Sequence, residues 1–469
     1  MAKPKTPNLD TLSMLDDKGR RQYVYPADVK GKWSRRKPFA YVALIAFFVT
    51  TPWLRINGEP AVLIDIAHRQ FFLFGSAFNA QDFFLMFFVV AGIGLSLIVV
   101  AALWGRLWCG WACPQTVWLD GVFRRIERLI EGPANKRRRL AKAPWTLNKL
   151  WRKGLKHVLY VALAFIIAHV FLSYFTPTDR FLEMMADGPG AHMSTFLWAL
   201  ALTVIIYGNF WWFREQLCIV ICPYGRLQSV LQDDDTINVQ YDHLRGEPRG
   251  KKTDPNAGDC VNCGRCIAVC PTNIDIRNGH QLECIGCAYC IDACDEIMLK
   301  LGREPGLIRY DSQCAIEGGR RRFWRPRVFF YIVAGALLLT FATVAMSKND
   351  SFEANLFRQQ GAPFLINKQA GVLENNVRLH VVNKRFDEAT FTVRADDADV
   401  GRVFVPQTEV TLKKFKDHYF PVFIKIPAAD YKFGMHVKML VTDSVDNVTD
   451  VIEIEVLGPR GGVAIPAEK

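Results

Sequence analysis

Five apolar runs restrict this chain more than any other feature: Pro38 to Leu54, Phe83 to Trp104, His157 to Phe175, Ser194 to Phe213 and Val328 to Met346. A helix needs roughly 17–25 such residues to cross a hydrocarbon core. Inside that core every backbone N–H and C=O must be bonded within the segment, so a lone span is helical. The chain is therefore expected to be an α-helical multi-pass membrane protein with about five spans, its two ends on opposite sides of the bilayer.

Charge sets the orientation. A formal net charge of +12 would suit a nucleic-acid binder, but the basic residues flank the apolar runs, and no nucleic-acid partner is expected. Lys30, Lys32, Arg35, Arg36 and Lys37 precede the first run, and Lys136, Arg137, Arg138 and Arg139 lie in the segment from Arg106 to Lys156. Both segments are placed in the cytoplasm. The stretches after the first and third runs hold little besides Arg69 and Arg180 and are placed in the periplasm. A sixth apolar stretch, Ala61 to Phe78, contains Asp65, His68 and Arg69, which are costly at a bilayer centre. It is expected to be interfacial or re-entrant. The first 37 residues are polar and no small-residue cleavage site follows the first run, so no removable signal peptide is expected and the N-terminus stays cytoplasmic.

The resulting plan has a cytoplasmic tail (1–37), a four-span membrane region (38–213) with a basic cytoplasmic loop (105–156), a cytoplasmic insertion (214–327), a fifth span (328–346) and a periplasmic tail domain (347–469). In the last, Val377, Leu379 and Val381 alternate with Arg378, His380 and Val382, and similar strands recur near 390–393, 410–412, 419–426, 437–441 and 451–456. Short alternating strands at this spacing predict an immunoglobulin-like β-sandwich.

All 13 cysteines lie before residue 315, most at metal-ligand spacing rather than scattered as disulfide partners. Cys260, Cys263, Cys266 and Cys270 are followed by Cys284, Cys287, Cys290 and Cys294. Three closely spaced thiolates wrap one cubane and the fourth reaches its neighbour. Cys260, Cys263, Cys266 and Cys294 would hold one 4Fe-4S cluster, and Cys284, Cys287, Cys290 and Cys270 the other. The insertion is thus read as an α+β bacterial-ferredoxin-like domain. Paired C-x-x-C also suits zinc, but two runs of three evenly spaced cysteines plus a fourth do not. Asp295 stands after Cys294, where Pro271 follows Cys270.

The second and fourth runs end in the same device, Cys109-x-x-x-Cys113-Pro114 and Cys218-x-x-x-Cys222-Pro223, although the two segments barely match elsewhere. In a helix the paired thiols would share one face, with the proline ending it. Such pairs can hold Cu(I) or form a redox disulfide, against the alternative that cysteine is simply a small buried hydrophobe. Cys314 stands alone and takes the latter reading, and His157 and His169 are read as packed or interfacial. Met184, Met185, His192 and Met193 suggest a soft copper pick-up site, against methionine's routine use as a gap-filler.

Two Cys-x-x-x-Cys-Pro devices, a two-cluster insertion before a last span and a β-sandwich tail together resemble the CcoG family, also called FixG or RdxA, over essentially the whole chain. The resemblance implies a bacterial inner-membrane accessory protein for cbb-type cytochrome c oxidase that reduces Cu(II) to Cu(I). Its implied partners are the copper delivery chain and the oxidase maturation machinery, with Cys109, Cys113, Cys218 and Cys222 at the site of reduction. A cytoplasmic electron donor, which no motif identifies, would feed the clusters. Two other readings stand beside this one. One is a quinol-linked relay with His68 and Arg69 as quinone contacts. The other is a redox-sensing scaffold whose β-sandwich docks the oxidase.

Overall fold

The computed structural model describes residues 22–66, 70–78, 83–347, 351–359, 361–367 and 370–459. The chain divides into two compact units, a larger one ending at residue 343 and a smaller one formed mainly by residues from 344 onward.

Helices of the larger unit are α1 (Lys32–Thr50), α2 (Phe83–Trp104), α3 (Leu107–Trp111), α4 (Pro114–Trp118), α5 (Arg124–Glu131), α6 (Ala134–Lys142), α7 (Leu147–Leu172), α8 (Thr178–Asp187), α9 (Met193–Gly208) and α10 (Pro223–Leu231). They continue with α11 (His243–Gly246), α12 (Arg265–Val269), α13 (Tyr289–Lys300), α14 (Gln313–Ile316) and α15 (Pro326–Ser347). Among the described residues, 4 helices are long and apolar enough to cross a membrane: α2, α7, α9 with its continuation to Phe213, and α15. The expected first span is α1, but its opening turns carry Lys32, Arg35, Arg36 and Lys37. Only Pro38 to Thr50 is left as its apolar part. α7 starts at Leu147, ahead of the expected His157, because Thr146 caps it by accepting the Lys149 N–H at 3.3 Å.

Small residues bring α2 and α15 together: a Cβ on Gly92 would touch Leu338 at 3.8 Å, and one on Gly335 would touch Leu95 at 3.5 Å. α7 packs on α9, and Phe123 stacks on Phe210 at 4.3 Å while Tyr160 donates to the Phe123 carbonyl at 3.1 Å. The Ala61 to Phe78 stretch is not helical. Val62–Asp65 and Gln70–Leu73 form an antiparallel hairpin, and Ile64 N–H donates to the Tyr174 carbonyl at 2.8 Å, just past the end of α7. Ala67, His68 and Arg69 lie outside the described residues.

The basic loop is more than a solvated charge block. Glu127 accepts from Arg137 at 2.9 Å, Arg214 at 2.8 Å and Tyr23 at 2.8 Å, while Arg124 pairs with Asp120 and Glu215, nearly all of them buried. These buried pairs tie the loop to Tyr23 near the start of the chain and to Arg214 and Glu215 after α9. Residues 22–31 belong to the same structure: Ala27 N–H donates to the Ala268 carbonyl at 2.8 Å, and α1 begins where the Asp292 carboxylate accepts from Trp33 N–H at 3.1 Å and Ser34 N–H at 2.6 Å. The expected boundary at residue 37 therefore falls inside α1.

Between the apolar helices, strand Asn238–Tyr241 pairs antiparallel with Ile308–Asp311 and, with α12 and α13, encloses a core that includes Val239, Ile267, Ile274, Ile291, Met298 and Ile308. The smaller unit is a two-sheet sandwich. One sheet orders Val403–Phe404, Asp417–Pro427, Val372–Asn383 and Phe352–Arg358, with Leu365–Asn367 added to Val372–Asn383. The other orders Glu409–Leu412, Ala389–Ala395, His436–Asp443 and Thr449–Glu455. Leu379, Phe391, Phe420, Val422, Ile424, Val437 and Met439 fill the space between them, as the alternating pattern predicts.

Candidate electron-transfer site

The cysteine-rich segment forms two similar loops. In the first, Asn262 and Gly264 take left-handed backbone angles; in the second, Gly286 and Ala288 do so at the same two positions of the motif. These turns curl each loop around its thiols and point backbone N–H groups inward, as anion-binding nests do. Ala288 holds the conformation with a Cβ, a strain offset by its complete burial.

Cys260, Cys263, Cys266 and Cys294 line one cavity, alongside Tyr241 and Arg277. Cys270, Cys284, Cys287 and Cys290 line a second cavity, which Cys266 also borders. Sequence spacing predicts the same two sets. Burial pushes the thiols of Cys266 and Cys284 up to about 12 and that of Cys287 up to about 11. Four thiolates packed this way need a cationic core to compensate them, which an iron–sulfur cubane supplies. The residues present fit that group. Arg277 braces the first loop, gripping Asp275 at 2.8 and 2.7 Å and donating to the Asn262 carbonyl of its side chain at 2.7 Å.

Both Cys-x-x-x-Cys-Pro devices adopt one backbone plan, and it differs from the expected helical pair. Cys109 lies in α3 and Cys218 in a π-turn (Leu217–Ile221), but Cys113 and Cys222 are extended (φ −60°, ψ 127° and φ −67°, ψ 111°) and cap the helices that Pro114 and Pro223 begin. A residue before proline is sterically driven out of the α region, whereas proline suits the first helical turn.

The two devices form one group. Gln115 and Asn209 exchange side-chain hydrogen bonds at 3.3 and 2.7 Å, Gln115 also donates to the Arg214 carbonyl at 2.8 Å, and the Cys109 thiol donates to Gln228 of α10 at 3.3 Å. Burial, then the neighbouring Cys113, push Cys109 up to about 11. Burial raises Cys218 as well, with Cys113, Cys109 and Cys222 adding to it. Among the described residues, no three His, Cys, Asp or Glu side chains close around a single metal ion. The four thiols are electrostatic neighbours rather than a finished coordination shell.

The second cluster loop touches this group directly. A Cβ on Gly110 would lie 2.6 Å from the Gly286 carbonyl oxygen and 2.7 Å from that of Ile285. Arg106, 5 % exposed, donates to the Cys284 carbonyl at 3.3 Å and to the Gly225 carbonyl, joining the cluster loop to both devices. Trp111 Nε1–H donates to the Tyr310 hydroxyl at 3.0 Å, which donates to the Gly286 carbonyl at 2.6 Å. Lys37 is buried with Nζ 4.1 Å from the Tyr289 ring. Sequence reading missed Arg106, Gly110, Trp111, Tyr310 and Lys37, for none stands in a ligand pattern.

The remaining candidates separate. Tyr207 and His157 share a hydrogen bond at 3.0 Å with Trp211 beside them, so His157 is a packed histidine as expected. The Cys314 thiol points to the Arg320 carbonyl at 3.6 Å, far along the chain from the other thiols. The proposed quinone contacts His68 and Arg69 fall outside the described residues.

Known proteins bear on this geometry. A family model described as a 4Fe-4S dicluster domain matches residues 213–313, one described as a 4Fe-4S binding domain matches 83–133, and one for the IG-like fold at the C-terminus of FixG matches 342–459. The second match includes Cys109 and Cys113, a link between iron–sulfur proteins and the device that the sequence reading did not make. The chain is 35% identical over 397 residues to protein RdxA of Cereibacter sphaeroides, covering 80% of this chain and 82% of that one. It is 33% identical over 463 residues to nitrogen fixation protein FixG of Rhizobium meliloti, covering 87% of each. Protein RdxB of Cereibacter sphaeroides is 34% identical over 418 residues, covering 84% of this chain and 86% of its own.

Proposed function

Since this chain belongs to the FixG and RdxA family of iron–sulfur proteins, we propose that it carries single electrons to Cu(II) at the paired Cys-x-x-x-Cys-Pro devices, yielding Cu(I) for maturation of a cbb-type cytochrome c oxidase. Each electron delivered converts one Cu(II) to one Cu(I), and an unidentified cytoplasmic donor replaces it. Two 4Fe-4S clusters, when bound, supply one-electron carriers. Cys260, Cys263, Cys266 and Cys294 would hold one, and Cys270, Cys284, Cys287 and Cys290 the other.

The observation that carries this reading is the backbone contact between Gly110 and the Ile285–Gly286 carbonyls. It sets the second cluster loop against the backbone of the first device, between Cys109 and Cys113. Arg106 holds the two in register, and its charge favours negative charge arriving on either side. Cys109, Cys113, Cys218 and Cys222 offer soft sulfur donors, which release their protons on binding metal and prefer the product ion Cu(I) over Cu(II). Four apolar helices and the apolar part of α1 would form five spans, with the cluster loops cytoplasmic and the β-sandwich periplasmic.

A chromogenic Cu(I) chelator tests the proposal. Anaerobically reduced protein supplied with Cu(II) should yield Cu(I) in proportion to its cluster electrons. Cys109→Ser and Cys222→Ser variants with full iron content should yield it at least tenfold more slowly. Equal rates would remove these thiols from the reaction.

A further inference from the structure

A second group of soft donors gathers at the other end of α7 and α9. His169, Met184, Met185 and His192 line one open pocket, walled by Phe165 and Phe181. α9 and its continuation span Met193–Phe213, so the cavity lies roughly 30 Å, one membrane-crossing helix length, from the device that follows. The sequence suggests Met184, Met185, His192 and Met193 as a group. The structure substitutes His169 for Met193, which does not line the cavity.

Hydrogen bonding fixes what each imidazole can offer. His169 Nδ1 stands 2.8 Å from the Phe165 carbonyl oxygen, which only accepts, so Nδ1 carries the proton and Nε2 keeps its lone pair. His192 Nε2 stands 3.3 Å from the Asp187 carboxylate, which only accepts, so in the neutral ring Nδ1 holds the lone pair. Ligating histidines have this arrangement, one ring nitrogen held by a carbonyl or carboxylate and the other presented to the metal. Two thioethers beside two imidazoles make a soft set suited to a monovalent copper ion rather than to a hard cation. No three His, Cys, Asp or Glu side chains among the described residues group around a metal ion, so the site depends on its thioethers.

We propose that His169, His192, Met184 and Met185 bind Cu(I), giving the chain a copper position separate from the cysteine devices. The site involves binding alone, with no redox step, and stands whether or not the devices reduce copper.

The test titrates full-length, cluster-loaded protein in detergent with Cu(I), and in parallel with redox-inert Ag(I), against a competing chelator. Met184→Leu/Met185→Leu removes the thioethers while keeping the apolar wall; His169→Gln/His192→Gln removes the imidazoles. The wild type should hold one more equivalent of each ion than the Met variant, or bind that equivalent at least tenfold more tightly, with iron content and cluster-driven Cu(II) reduction unchanged. Cys109→Ser protein should retain this equivalent even if it no longer reduces copper, which separates the two claims. Identical titrations of wild type and the Met variant would overturn the site. Should the His variant lose its clusters and fail as a folded control, the Met variant decides alone.

Discussion

Gly110 and Gly286 meet so closely that a Cβ on Gly110 would stand 2.6 Å from the Gly286 carbonyl oxygen, and one on Gly286 would stand 2.8 Å from the Arg106 carbonyl oxygen. Both neighbours are backbone, which cannot swing aside. Gly110→Ala is expected to part the cluster loop from the device. Cu(II) reduction should fall about tenfold or more while the eight cluster cysteines keep their iron, since electron-transfer coupling drops steeply with small displacements and one inserted methyl moves packed backbone. Iron assay and reduction rate on the same sample check this.

Arg106 donates to both the Cys284 carbonyl and the Gly225 carbonyl. Arg106→Gln removes a buried positive charge near the second cluster loop, so reduction there becomes harder. Loss of a buried charge at such short range is worth on the order of 1–2 kcal/mol, which predicts a midpoint lower by tens of millivolts. Redox titration followed by electron paramagnetic resonance measures the shift, and Arg106→Lys should recover part of it.

How much of this was legible in the sequence varies by element for physical reasons. The grouping of the eight cysteines was readable because three close positions and a fourth recur twice, and each cavity gathers one of the sets that this spacing predicts. The sandwich strands were readable because burial alternates along them. The device conformation was half readable: Pro114 and Pro223 announce a helix boundary, but the i, i+4 reading ignored that Cys113 and Cys222 are themselves the residues proline excludes from the helix. The stretch after α1 was given no element in the sequence reading because Val62, Leu63 and Ile64 are apolar on both faces, hiding the period of a hairpin. Arg106, Gly110 and Gly286 were invisible because contacts between segments about 180 residues apart leave no local pattern.

The Cys109 thiol, held up to about 11 by burial and Cys113, stays protonated at neutral pH. In metal-free protein its alkylation at pH 8 should run on the order of a hundredfold slower than that of an exposed thiol, because only the thiolate attacks. The rate should climb with pH until about 11. Mass spectrometry of the Cys109 peptide across pH gives the profile.

Asp292 on α13 accepts from Trp33 and Ser34 N–H at the start of α1. Asp292→Ala strands both donors and should lower stability by about 1–2 kcal/mol. The Tm of the detergent-solubilised protein should drop by a few degrees, with Asp292→Asn intermediate.

The sandwich has a hydrophobic core of its own. Deleting residues 350–469 should leave cluster absorbance and copper reduction intact. Loss of oxidase maturation in cells carrying that truncation would assign docking to the sandwich.

The most direct test of electron delivery to the device thiols is a rapid-mixing experiment. Protein with reduced clusters, freed of excess reductant, is mixed anaerobically with Cu(II) while cluster absorbance is followed. Reoxidation with one Cu(I) formed per electron lost, slowed at least tenfold in Cys109→Ser and Cys222→Ser proteins of unchanged iron content, is the predicted result. Reoxidation at the same rate in wild type and both variants would contradict it.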